Sequence, residues 1–590
     1  MTDFHRWKKL AVLASLALLT ACSNLQRSAP PSQAADFLFW KGAVYTVDEG
    51  RPWAEAVAVK DGYIQFVGSN EQAKAHIGAE TQVIDLDEQM LLPGFIDTHA
   101  HPVLAAGMSH ALTLDINGTP ETWLEAVAAS AKDNPTRPYV YGFGFLASAF
   151  GPSGPTKEML DSVVSDRPVV LVDEGGHSAW VNSRALEVAG IDKDFPDPIP
   201  GLHYFKRDTE GNPTGWCLET MTFRPIVKEL GVMSIQSTRD GAEDLFWLMS
   251  SFGITTVFDA GMSSFQDVGL QVLGELEREG RLPFRVVGSH SIQSPMQVAG
   301  AMERLRDLQK TYGSELIAPR VMKIFSDGTK EAYTAAQFED YVGQPGNKGA
   351  LFLEGKLLRD FVSDVDKAGF DIHIHAIGDR AVDTALDAFE SVRRSNPSST
   401  ARYSMAHVEL ARDEDLPRFG ALGVVAQTTP YWFATDVNYE AESIGIERAS
   451  KLYRFAKIER EGGRITFGSD FPATGDIVGL FPVLNIEMGM TRKMVDQPEM
   501  PTTPPVDAVL SLETMIKGYT LNAAYQLNFE RELGSIEVGK RADIIVLTQN
   551  LFELDTYDIH NARVDITMLN GEVVYQRGWR SLLAEWVLGM

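Results

Sequence analysis

The chain has 590 residues, 44% of them hydrophobic, with two cysteines and a formal net charge of −27. That length supports one large core with further subdomains. A surface this acidic excludes nucleic acid and anionic lipid as natural binding partners, and it leaves the substrate open.

The first predicted element is a signal peptide over residues 1–21. Arg6, Lys8 and Lys9 give it a basic start, and the apolar stretch 10–21 is too short for a comfortable membrane span of ~20 residues. It ends in Leu19-Thr20-Ala21-Cys22, which resembles a bacterial lipobox and implies cleavage before Cys22 and lipidation of its thiol. Ser23 after the cysteine implies, by analogy with Gram-negative lipoproteins, an outer-membrane lipoprotein facing the periplasm or the exterior. Removing residues 1–21 takes away three cations and Asp3 and leaves a net charge of −29. Residues 22–36 are small and polar with two prolines, a flexible tether. Cys217 is then the one remaining cysteine, so no intrachain disulfide can form.

Residues 37–90 and 530–580 carry short β-type runs with turns between them, including an Asn-Gly hairpin signal at 570–571. Neither end closes a core alone, so the two are expected to pair into one β-sandwich. Between them, eight apolar β-rich runs occur at 91–101, 253–261, 284–291, 319–328, 370–379, 402–410, 423–430 and 464–472. Amphipathic helical stretches follow most of them. Eight strand–helix units predict an α/β fold, a (β/α)8 TIM barrel over 91–115 and 236–529, with its active site at the strands' C-terminal ends; a doubly wound open sheet is the competing arrangement. The gap between the first and second strands exceeds any ordinary connection. It holds its own helix at 119–133 and strands at 138–145 and 168–174. Residues 116–235 therefore read as an inserted lid subdomain over the active-site end.

His99 and His101 end the first strand and, being two apart, face the same side. Lys323 lies in the fourth strand, His375 ends the fifth, His407 the sixth and Asp470 the eighth. All fall at the rim where a barrel does its chemistry. Four imidazoles and a carboxylate that reach one point there can share a metal ion. For Lys323 the alternative is a pair with Asp327 or support of the barrel mouth. His373 shares a face with His375 but lies one layer deeper, where packing behind the site is the favoured role. His110, His203 and His290 sit in no usable motif.

In this order the motifs LLPGFIDTHAH, VMKIFSDGT, IHAIGDRAVD, AHVEL and GSDFP resemble the amidohydrolase superfamily. GGHSAWVNSRALEVAG and PTGWCLET, both in the insertion, resemble the branch that contains N-substituted formamide deformylases, and GSIEVGKRADIIVL resembles the family's C-terminal sandwich. The resemblance implies His99, His101 and Asp470 on one metal, His375 and His407 on a second, and Lys323 bridging them as a carboxylated, anionic side chain. If Lys323 does not bridge, the centre is mononuclear. Zinc suits the ligands best, with iron or manganese as alternatives.

The chemistry so implied is metal activation of water towards a pKa of ~7, with Asp470 taking the proton and returning it to a leaving amine. The expected reaction is hydrolysis of a non-peptide amide, of the N-formyl or N-acyl amine type, in a small molecule. Ester, lactone or phosphotriester hydrolysis on the same site is the nearest alternative, and a non-catalytic lipid-anchored binding protein a more distant one. His177 and Glu219 in the insertion are candidates for substrate contact or for subdomain packing. Trp180, Tyr431 and Trp432 are candidates for an apolar pocket wall, with core packing the favoured role for any one of them.

Overall fold

The computed structural model describes residues 34–109, 111–262, 265–475 and 477–588. The leader, Cys22, nearly all of the tether and His110 lie outside the described residues. Eight parallel strands pair in chain order: Phe95–Ala100, Ile254–Asp259, Arg285–Ile292, Ile317–Phe325, Asp371–Ala376, Tyr403–His407, Val424–Thr428 and Arg464–Phe467. They are called barrel strands 1 to 8 below. Strands 5, 6 and 7 are buried at every residue, polar ones included, because helices cover their outer face and the barrel interior the other. The ring is drawn together between its last and first strands by Thr98 Oγ1 donating to Phe467 O (2.7 Å) and Asp470 N donating to His99 O (2.7 Å).

Helices coat the outside. In the helix Asp379–Ser395 the buried residues Ala381, Val382, Ala385, Leu386, Ala388, Phe389 and Val392 form one face, so the segment buries a stripe and exposes its charges. Asp379 in its first turn and Arg393 and Arg394 in its last complement the helix dipole.

Both chain ends build the flanking sheets. Ile544–Leu547 pairs antiparallel with Met90–Pro93, which pairs parallel with Ala43–Tyr45. A second sheet of residues 37–85 packs over it, and Phe39, Val57, Ile64, Ile544, Val546 and Met568 share one core between the two. The hairpin turn falls on Asn570 and Gly571, both at positive φ, as a type I′ turn requires. Two boundaries differ from the sequence reading. Leu112–Thr113, expected in the barrel segment 91–115, pairs with Val140–Phe145 in the insertion's sheet. Residues 91–93 belong to the end sheet, and barrel strand 1 begins only at Phe95. Gly94 lies between the two strands against Thr255, where a Cβ would not fit.

The insertion holds a mixed six-stranded sheet of residues 112–218. Apolar clusters pack on both of its faces, one around Val170, Phe205 and Ile226 and one around Trp123, Leu171 and Trp180. Its helix Pro120–Asp133 starts at Thr119, whose side chain caps Thr122 N. Trp180 is thus core of the insertion rather than pocket wall. Cys217 is a free, buried thiol in the same sheet. No described helix is long and apolar enough to cross a membrane.

Candidate metal centre

A cavity of about 270 Å³ opens at the C-terminal ends of the barrel strands, and residues of the insertion form part of its wall. His99, His101, Lys323, His375, His407 and Asp470 all line it. Asp470 is the hub. Its Oδ1 lies 3.3 Å from His99 Nε2 and 3.2 Å from His101 Nε2, and its Oδ2 lies 3.8 Å from His407 Nδ1. The donor atoms of His99, His407 and Asp470 fall within 4.8 Å of one another, close enough to hold one ion. His375 stands beside them, its ring centroid 4.4 Å from that of His407.

The hydrogen bonds fix which ring nitrogens are free. Ser404 Oγ donates to Ile372 O (3.3 Å), so it accepts from His373 Nδ1 (2.7 Å). His373 Nε2 then accepts from His99 Nδ1 (2.9 Å), which leaves the lone pair of His99 Nε2 facing Asp470. His101 Nδ1 donates to Gly261 O (3.1 Å) and likewise presents Nε2. His375 Nε2 donates to Gly328 O (3.3 Å) and keeps Nδ1 free. Burial, reinforced by neighbouring cationic groups, holds His99, His373, His375 and His407 well below the usual imidazole value, so all four are neutral; His99, His375 and His407 keep a lone pair for a cation, whereas His373 spends its own on His99 Nδ1.

Lys323 is wholly buried, and its Nζ has no hydrogen-bond partner. Burial lowers it to about 7, against the pull of the Asp470 charge. It does not pair with Asp327. That carboxylate instead accepts from the backbone N–H groups of Ile377 (3.1 Å), Gly378 (2.9 Å) and Ala336 (2.8 Å), and so pins the loop after strand 5. An unpartnered amine beside neutral imidazoles and a carboxylate fits a site able to hold a cation.

The backbone around the cluster is strained. His407, Val408 and Asp470 all have positive φ (72°, 46° and 50°), a region costly for side chains with a Cβ and concentrated at functional sites. Gly468 permits close approach of the two strand ends, since a Cβ there would lie 2.5 Å from His99 N.

His177 reaches the cavity from the insertion. Its ring centroid is 5.2 Å from that of His375, and its Nδ1 lies 2.8 Å from Glu219 Oε2. Glu219 Oε1 accepts from Thr334 Oγ1 (2.7 Å), which joins the insertion to the loop after strand 4. Burial opposes charging His177, but the Glu219 carboxylate overrides it and lifts the imidazole to about 9. Trp432 lines the cavity 5.9 Å from the His407 ring. Tyr431 is not among its lining residues. His203 is buried with Nε2 on Gln293 O, and His290 Nδ1 meets Gln266 Oε1.

Sequence reasoning missed Asp97. It accepts from Ser469 Oγ (2.7 Å) and His99 N (3.1 Å), and so holds the loop of Asp470 against strand 1. Its spacing of two from His99 was the available signal. It also missed the buried group of Lys330 with Glu331, Glu409 and Glu440, and Arg224, all of which line the cavity. No local pattern in the sequence marks these.

Histidines and an aspartate gathered at the mouth of a (β/α)8 barrel define a metal-dependent hydrolase. Residues 82–575 match the amidohydrolase family (Amidohydro_3), and the chain belongs to that family, hydrolases of carbon–nitrogen bonds. It is 31% identical over 440 residues to the exoenzymes regulatory protein AepA of Pectobacterium carotovorum subsp. carotovorum, covering 73% of this chain and 93% of that one. It is 26% identical over 560 residues to N-substituted formamide deformylase of Arthrobacter pascens, covering 92% and 99%. The crystal structure of an uncharacterized metal-dependent hydrolase from Pyrococcus furiosus superposes with a TM-score of 0.64 at 26% identity, covering 87% of this chain and 99% of that one.

Proposed function

We propose that this protein hydrolyses a non-peptide amide bond, of the N-formyl or N-acyl amine type, in a small molecule. The observation that carries this reading is the cluster of neutral imidazole lone pairs around Asp470, beside the orphaned Lys323 amine. The name of the Arthrobacter relative, a formamide deformylase, supports the bond type. His99, His101 and Asp470 would hold one zinc ion, and His375 and His407 a second. Lys323, carboxylated on Nζ, would join them. Zinc supplies a Lewis acid there, polarising a carbonyl and acidifying water.

The chain's own residues do the rest. Asp470 accepts the proton of the attacking water and delivers it to the leaving amine nitrogen. The Ser404–His373–His99 and Gly261–His101 hydrogen bonds keep the ligand nitrogens aimed. His177, charged through Glu219, stands over the cavity as a hydrogen-bond donor to the substrate. The apolar wall excludes bulk water.

The test is turnover of a panel of N-formyl and N-acyl amines, matched against esters and lactones, before and after chelation. Metal-dependent amide cleavage is expected, and cleavage of esters alone would contradict the bond assignment. The name of the Pectobacterium relative favours a second reading, a regulatory protein without turnover; the complete donor set argues against it. We further propose anchorage at the outer membrane through Cys22, supported by the lipobox pattern alone. Cys22→Ser should leave the membrane fraction.

A further inference from the structure

The helix Thr220–Glu229 turns one face to the cavity, made of Thr220, Phe223, Arg224 and Val227. Their spacing of i, i+3, i+4 and i+7 is that of a single helical stripe. Arg224 is the one charge on that stripe. Among the described residues no carboxylate pairs with it, and its buried Nη2 has no hydrogen-bond partner. The cavity's other cations are accounted for. Lys330 Nζ lies 2.6 Å from Glu331, 2.6 Å from Glu409 and 3.4 Å from Glu440, and Lys323 stands in the metal cluster. Glu219, one residue before the helix, is engaged by His177 and Thr334. Burial lowers Arg224 to about 10, so it is still charged at neutral pH. Arg224 is half-buried, and a guanidinium partly withdrawn from water without a partner weakens folding, so leucine or methionine would serve the stripe better.

We propose that Arg224 anchors a carboxylate on the substrate, so that the enzyme acts on N-acyl or N-formyl amines that carry an acid group, N-acyl amino acids being the simplest. This rests on the reading of the cavity as the site of an amide hydrolase. The guanidinium fork matches a carboxylate through two parallel hydrogen bonds. Phe223 and Val227 flank it with apolar surface for the rest of the molecule. Arg224 belongs to the insertion and the metal cluster to the barrel, so a substrate gripped at both ends ties the two together.

N-formylphenylalanine and N-formyl-2-phenylethylamine differ only in the carboxylate. Binding of each is measured by calorimetry on zinc-loaded enzyme carrying Asp470→Asn, so that the probe persists, and again with Arg224→Met or Arg224→Lys added. The parent should favour the acid by at least ~10-fold, as a charge-assisted pair implies. Arg224→Met should lose ~10–100-fold for the acid and less than ~2-fold for the neutral probe, with Arg224→Lys between them. Its Tm should equal or exceed the parent's, because no native partner is lost. Equal affinity for both probes, binding of neither, or a preference for the acid that survives Arg224→Met overturns the proposal. A fall in Tm with loss of both probes also overturns it, by showing a structural role. If the acid binds through Arg224 but wild-type enzyme hydrolyses neither probe, the anchor stands and the amide-hydrolase reading falls.

Discussion

Lys323→Met should make the metal-stripped protein more stable. The side chain is wholly buried and its Nζ is unpartnered. Burial draws the ammonium from 10.5 to about 7. At ~1.4 kcal/mol per pH unit, that fall represents about 5 kcal/mol of opposition to folding with the lysine charged. A group whose value is lowered on folding binds its proton more tightly when unfolded. The penalty is therefore complete below pH 7 and fades as pH rises towards 10.5. Methionine fills similar space without a charge and carries no such penalty. His177 acts in the opposite sense. Raised from 6.5 to about 9, it contributes fully below pH 6.5 and loses that contribution as pH climbs through 9. The wild-type-minus-variant difference cancels His177 and isolates Lys323. Urea unfolding of chelator-treated protein between pH 7 and pH 10 gives that difference directly. The variant should lead by about 3–5 kcal/mol at pH 7, with the gap closing towards pH 10. Zinc with bicarbonate should then stabilise the wild type more than the variant. A variant less stable than wild type at pH 7, or a gap that ignores pH, would refute the reasoning.

His177→Gln removes the imidazolium that Glu219 sustains; turnover should drop ~100-fold, and the wild type's decline above about pH 9 should vanish from the variant's pH–rate profile. Gly468→Ala places a Cβ 2.5 Å from His99 N and 2.7 Å from Asp97 Oδ1. The two strand ends must part, and zinc titration should show affinity lower by on the order of 10–100-fold. Arg285 on barrel strand 3 meets Asp543 (2.7 Å) and Asn570 (2.8 Å) of the end sheet, both charges buried. Arg285→Leu strands Asp543 and should cost about 3–5 kcal/mol by urea unfolding, whereas unchanged stability would show that the end sheet is held without this pair.

Hydrophobic patterning located all eight barrel strands, because buried parallel strands are short apolar runs and the helices between them carry a clean stripe. It also placed His99, His101, His375, His407 and Asp470 at one rim, since strand ends in a barrel converge. It misjudged residues 91–93, where one apolar run crosses from the end sheet into the barrel and only Gly94 marks the seam. Core packing is the role expected of any single one of Trp180, Tyr431 and Trp432, and Trp180 takes it; that Trp432 instead lines the cavity is a distinction hydrophobicity cannot make. Asp97, Arg224 and the Lys330 group stayed hidden for another reason. Their roles depend on which partners the fold supplies or withholds, and a lone arginine in TMTFRPIVKE looks like any solvated charge until the cavity beside it is known.

The central claim is that the cluster around Asp470 is a hydrolytic metal centre. It is tested most directly by metal analysis and amide turnover on the same samples of wild type and Asp470→Asn. Wild type should carry one to two equivalents of zinc, lose activity on chelation and regain it in proportion to zinc restored. Asp470→Asn should keep part of the metal and lose turnover by ~1000-fold or more, as removal of a proton-transferring carboxylate implies. Full amide turnover in chelated protein, or near-normal turnover in Asp470→Asn, would contradict the account.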